Sequence, residues 1–125
     1  MSVLGKVFVY EENSSEIRQH ISHLTDFGFF VFGTDNLYLL LKYAKEVHPD
    51  VVFFNLSESF QTSDKDWHII EQSLCYKQCP KIFIKSVEEL KNKPPFVYQE
   101  MPAEGFSMQQ LYQDIKKTST QKYIH

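Results

Sequence analysis

The sequence has little cysteine and little glycine, no long apolar run and no excess of positive charge. Its two cysteines, Cys75 and Cys79, are too few for a disulfide framework and form neither a CxxC pair nor half of a four-ligand zinc set. The expectation is reduced thiols in a cytosolic protein. Only four glycines are present, and GxGxxG, P-loop and GxSxG motifs are all missing, so no apparatus for catalysis is visible. The most apolar run, Phe27 to Phe32, is far too short to span a bilayer, and Met1 to Lys6 lacks the basic-then-apolar pattern of an export signal. The chain is therefore expected in the cytoplasm, without a membrane partner. Thirteen Lys and Arg against sixteen Asp and Glu give a net charge of -3, which provides no global basic field for nucleic acid. Protein partners are the class left.

What is abundant is aromatic and aliphatic side chain. Eleven Phe and seven Tyr stand among 125 residues that are 42% hydrophobic, enough for one core and one domain. Val7 to Tyr10, Phe29 to Phe32, Val51 to Phe54, Ile82 to Ile84 and Phe96 to Tyr98 are short continuous runs, the pattern of strands covered on both faces. Between them lie helical spacings: Ile17, Ile21 and Leu24; Leu37, Leu40, Leu41 and Ala44; Trp67, Ile70 and Leu74. This alternation predicts an α/β fold with a parallel sheet and right-handed crossovers.

Boundaries are marked as well. Asn13 with Glu16 forms a capping-box pattern, as does Ser107 with Gln110, and Phe106 with Leu111 suits a hydrophobic staple. Gly28 stands where the first helix wants a left-handed terminal residue, and Pro49 stops the second helix. Pro94 and Pro95 leave room for only a short fourth helix around Ser86 to Lys91. Residues 1–117 read as one domain and 118–125 as a polar tail.

Leu24 to Phe29, Thr34 to Asn36 and Pro49 to Leu56 follow in order a helix, a glycine, a second strand, a helix and a Pro-Asp-opened third strand. In this the chain resembles the receiver domains of two-component response regulators, over roughly residues 5 to 117. The resemblance implies a flavodoxin-like, doubly wound sheet of five parallel strands in the order 2-1-3-4-5. It also implies a site at the carboxyl edge of that sheet. There the family keeps an acidic pair for Mg²⁺, a phosphoryl-accepting Asp, a Ser or Thr, and a Lys before a Pro.

In this chain the acidic pair corresponds to Glu11 and Glu12 by the first strand, or to Glu12 and Asn13 by the position of Arg18. The acceptor position is Asn55, the hydroxyl position is Lys85 or Ser86, and Lys-Pro has become Met101-Pro102, whose bond the resemblance implies to be cis. An amide is a poor nucleophile and a thioether supplies no cation, so Asn55 is not expected to take a phosphoryl group nor Met101 to clamp one. Lys85 is a candidate ion-pair partner for Glu11 or Glu12.

The reading is a degenerate receiver, not an enzyme, with no cofactor and no metal. It acts by contact with a protein partner or a second copy. The alternative is a small-ligand sensor in the pocket of Asn55, Lys85 and Met101. The candidate contact surface is Tyr98 with Gln109 and Tyr112 of the last helix, against the plainer outcome of Tyr98 packed inward. His20 and His23, at helical spacing, are expected on a solvated helix face.

Overall fold

The computed structural model describes residues 5–11, 14–56, 64–76, 78–86, 90, 92–101 and 113–117. Five strands form one parallel sheet: β1 (Lys6–Glu11), β2 (Phe30–Thr34), β3 (Val51–Leu56), β4 (Lys81–Ser86) and β5 (Gln99–Met101). Their order is β2-β1-β3-β4-β5, the doubly wound arrangement that the resemblance implies, and all pairings are parallel, as the βα alternation predicts. Helices α1 (Ser14–Asp26), α2 (Leu37–Val47) and α3 (Asp64–Leu74) connect them, and residues 113–117 are also helical.

Successive strand residues point to opposite faces, so each central strand feeds two cores. Phe8, Tyr10, Val52, Phe54, Ile82 and Ile84 pack on one face with α2 and α3. Val7, Val9, Val51, Phe53 and Phe83 pack on the other with Ile17 and Leu24 of α1, Met101 and Ile115. The continuous apolar runs are explained by this double coverage.

Helix ends follow local chemistry. Asn36 caps α2, its Oδ1 accepting from Leu39 N–H at 3.1 Å. His48 closes α2 in the left-handed region (φ 55°), and Pro49 follows it. Gly28 ends the first helix with φ 105°, the conformation that only glycine adopts without cost.

Three expectations change, and four more fall on residues that are not described. The last strand is Gln99–Met101, not Phe96 to Tyr98. Phe96 is used for packing instead, edge-on to Trp67 at 5.7 Å, and the chain joins β4 only after that contact is made. Ser86 completes β4 and does not open a short helix; residues 87–89 and 91 lie outside the described ones. Cys75 and Cys79 form a disulfide (S–S 2.01 Å, Cα–Cα 4.1 Å), where reduced thiols were expected. Cys75 prolongs α3 through its N–H to Glu71 O (2.8 Å), and a tight return brings Cys79 beside it, a closure the CxxC test does not address. Asn13, the Ser107 cap with its staple, the Met101-Pro102 bond and the 118–125 tail all lie outside the described residues.

Trp67 ties α3 to the connection before β5. It is fully buried, and its Nε1–H donates to Asn92 O at 2.9 Å. Trp67→Ala should cost about 3–5 kcal/mol by leaving a cavity, whereas Trp67→Phe should cost about 1–2 kcal/mol for the lost bond and smaller ring. Urea unfolding followed by circular dichroism measures both, and equal losses would mean that the ring's packing is not what matters.

Candidate site at the carboxyl edge of the sheet

Parallel pairing places Glu11 opposite Asn55, Asn55 opposite Lys85, and Lys85 opposite Met101, so four of the residues singled out in the sequence form one rank across four strands. All occupy odd positions and share the face of Val9, Phe53 and Phe83, against α1. Ser86 lies one step further, opposite Leu56. Glu12, Asn13, Pro102, Gln109 and Tyr112 lie outside the described residues.

Glu11 is the centre of the rank. It is only 1% exposed, and a buried carboxylate requires partners. Asn55 Nδ2–H donates to its Oε1 at 2.6 Å, and His20 Nδ1 lies 2.6 Å from its Oε2. His20 comes from α1, is buried, and sets its ring edge-on to Phe53 at 5.9 Å. The solvated face expected for His20 is thus corrected. Ile17, His20 and Leu24 follow the three-and-four spacing of the buried stripe of α1, and that spacing was the available signal.

Burial pushes the Glu11 carboxyl up, but hydrogen bonds with His20, Glu16 and Asn55 and the charge of His20 more than reverse it, so its pKa is lowered. Glu16, one turn before His20, is raised: foremost by its hydrogen bond to Glu11, then by desolvation and by the charge of Glu11, against the pull of His20 and Lys85. The two carboxyls therefore compete for one proton, with Glu16 the better holder. Lys85 contributes its charge from β4.

At the far end of the rank Met101 is 6% exposed and belongs to the apolar core with Phe53 and Phe83. Tyr98 is half-buried with its ring edge-on to Phe96 at 6.4 Å, whereas Val97 beside it is 90% exposed. Magnesium takes oxygen ligands. In this site an amide N–H faces one oxygen of Glu11 and an imidazole nitrogen faces the other, so the described residues do not fit the ion that the fold family implies. No cluster of three or more His, Cys, Asp or Glu suited to a metal occurs among the described residues.

The sequence matches no protein-family model and no curated relative. The structure is similar to several solved receiver domains. A response regulator receiver domain protein from Bacillus halodurans superposes with TM-score 0.67 at 15% identity, over 90% of this chain and 95% of that one. The chemotaxis protein CheY4 of Vibrio cholerae gives 0.70 at 16% identity, over 94% and 99%. An orphan response regulator of H. pylori gives 0.69 at 13% identity, over 91% and 95%. At these identities the likeness is one of fold.

Two expected outcomes follow from the rank. Because the folded-state pKa of Glu11 is lowered, its contribution to stability is present above the ordinary glutamate value and is lost as pH falls through the folded value. Glu16 runs the opposite way: its raised pKa favours the folded state in acid, and that advantage disappears as pH rises through it. Glu11→Gln should therefore cost about 1–3 kcal/mol at neutral pH and progressively less in acid, which melting curves across pH will measure. Asn55→Asp sets a second carboxylate against Glu11 Oε1. It should destabilise by about 2–3 kcal/mol at pH 7, with recovery on acidification as the pair comes to share a proton. A pH-independent loss would place residue 55 away from Glu11.

Proposed function

We propose that the chain is a receiver-fold signalling module that acts by protein contact, without phosphoryl transfer, bound Mg²⁺ or enzymatic turnover. One observation carries this reading: the acceptor position is an amide whose N–H₂ is spent on Glu11, while Glu11 is closed from the other side by His20. An acyl phosphate needs an ionised carboxylate to attack phosphorus, and Asn55 has none. Met101 adds to this, since a thioether in the apolar core gives a phosphoryl oxygen no cation. The small-ligand alternative draws less support, because Asn55 and Met101 are both taken up by internal contacts.

The proposed contact surface is the connection into β5 and that edge strand. Val97, Gln99 and Glu100 are exposed there, with Tyr98 half-buried beside them. Exposed apolar side chain at a short edge strand suits a partner that covers it. Gln109 and Tyr112 are tested with this surface because the sequence spaces them on one side of the last helix.

Incubation with a small acyl-phosphate donor and Mg²⁺ should leave the intact mass of the wild-type chain unchanged. Asn55→Asp should label poorly, for want of a cation at residue 101. A stable gain of one phosphoryl group on the wild type would overturn the proposal. Val97→Asp and Tyr98→Ala, folded by circular dichroism, should each lose at least tenfold in affinity for a purified partner, and Gln109→Ala and Tyr112→Ala locate the remainder of the surface.

A further inference from the structure

β2 is an edge strand, and among the described residues only β1 pairs with it. Its hydrogen-bonding parity is set by Phe30, whose N–H donates to Gly5 O at 2.9 Å. Backbone groups alternate in direction along a strand. Phe30, Phe32 and Thr34 therefore turn theirs toward β1, and Val31 and Gly33 turn theirs outward. Natural edge strands are usually protected by a lysine, a proline, a bulge or a covering element. The strand FVFGT carries no charge and no proline, and Phe30 is 43% exposed.

Beside this edge a cavity of about 400 Å³ is lined by Phe32, Leu39, Lys42, Tyr43 and Glu46. Leu39, Lys42, Tyr43 and Glu46 form one stripe of α2, at spacings of three and four. Leu39 is 48% exposed. Lys42 and Glu46, of opposite sign and one turn apart, are in no ion pair among the described residues.

We propose that this edge binds a second copy of the chain about a twofold axis, with the two β2 strands antiparallel and Phe32 on the axis. The register follows from parity. Bonded antiparallel pairs form between outward-facing residues. Placing Val31 opposite the partner's Gly33, and Gly33 opposite the partner's Val31, uses both outward residues of each strand. Centring on Val31 or on Gly33 instead would leave one of them unused. The axis then stands perpendicular to the sheet, which keeps both α2 helices on one face and makes them antiparallel. Antiparallel copies bring Lys42 toward the partner's Glu46 and Glu46 toward the partner's Lys42, so the charge pattern is self-complementary. Phe32 meets the partner's Phe32 in the closely spaced, non-hydrogen-bonded position, beneath the cavity that the second α2 stripe closes. A five-residue strand and one helix stripe fall at the small end of stable interfaces, so the dimer should form in the micromolar range. The β5 edge, at the opposite side of the sheet, takes no part in this contact.

Sedimentation of the full chain from about 1 to 200 µM tests this. Wild type should self-associate to a dimer. Lys42→Glu and Glu46→Lys, each placing like charges face to face, should weaken it at least tenfold, and the double exchange should recover to within about threefold. Val31→Pro removes an outward N–H and should leave a folded monomer; if that variant does not fold, the charge exchange decides alone. A wild type that stays monomeric at the highest concentration overturns the proposal. So do a dimer indifferent to these changes, failure of the double exchange to recover, and a dimer that appears only when the chain is ended at residue 117, which would make the tail the native cover of the edge.

Discussion

In-register parallel pairing of β1, β3 and β4 is the constraint on which the remaining structure depends. Each of these strands is buried on both faces, so a slip by one residue would carry Phe8, Phe53 or Phe83 into the wrong core. Register is thereby held by apolar packing along the strands. The polar consequence appears only at their ends, where Glu11, Asn55, Lys85 and Met101 line up because the residues before them cannot move.

Much of this was legible before any coordinates. Continuous runs such as Val51 to Phe54 announce a doubly covered sheet, and three-and-four spacings such as Trp67, Ile70 and Leu74 announce the helices over it, because both patterns report burial directly. Glu11, Asn55, Lys85 and Met101 were singled out by the resemblance to receiver domains, and strand pairing brings them into one rank. Long-range pairing was less legible. His20 read as a surface residue because its class is usually wet; only the position of Ile17 and Leu24 on either side of it, and the nearness of Glu11, make it a buried partner. Phe96 to Tyr98 carries strong strand composition, yet the demand of Trp67 for a ring against its edge takes Phe96 out of the sheet. Composition cannot rank a local preference against a tertiary contact. The Cys75–Cys79 closure depends on how sharply the chain returns after α3, which residue spacing alone leaves open.

The carboxyl edge illustrates how a charged site can be made self-sufficient. A carboxylate at the end of a buried strand has a large desolvation cost, which either a cation or protein donors must offset. Here the offset comes from two elements: an amide on β3, and an imidazole and a neighbouring carboxyl on the first turns of α1. An amide at residue 55 is part of that solution, since it supplies the hydrogen that a second carboxylate would lack. Asn55 is therefore a structural partner of Glu11.

At the opposite end of the sheet a second carboxylate works with ordinary backbone groups. Asp50 Oδ2 accepts from Lys6 N–H at 2.8 Å, its own N–H donates to Lys6 O at 2.9 Å, and its C=O accepts from Lys81 N–H at 2.9 Å. One residue thus fastens the starts of three adjacent strands. The molecule consequently has a fastened end and, the full length of the strands away, an end whose contacts are made by side chains. Substitutions at Asn55 or Lys85 therefore leave untouched the backbone attachment that aligns the strands, so the carboxyl edge can be rebuilt by mutation while the sheet that carries it keeps its register.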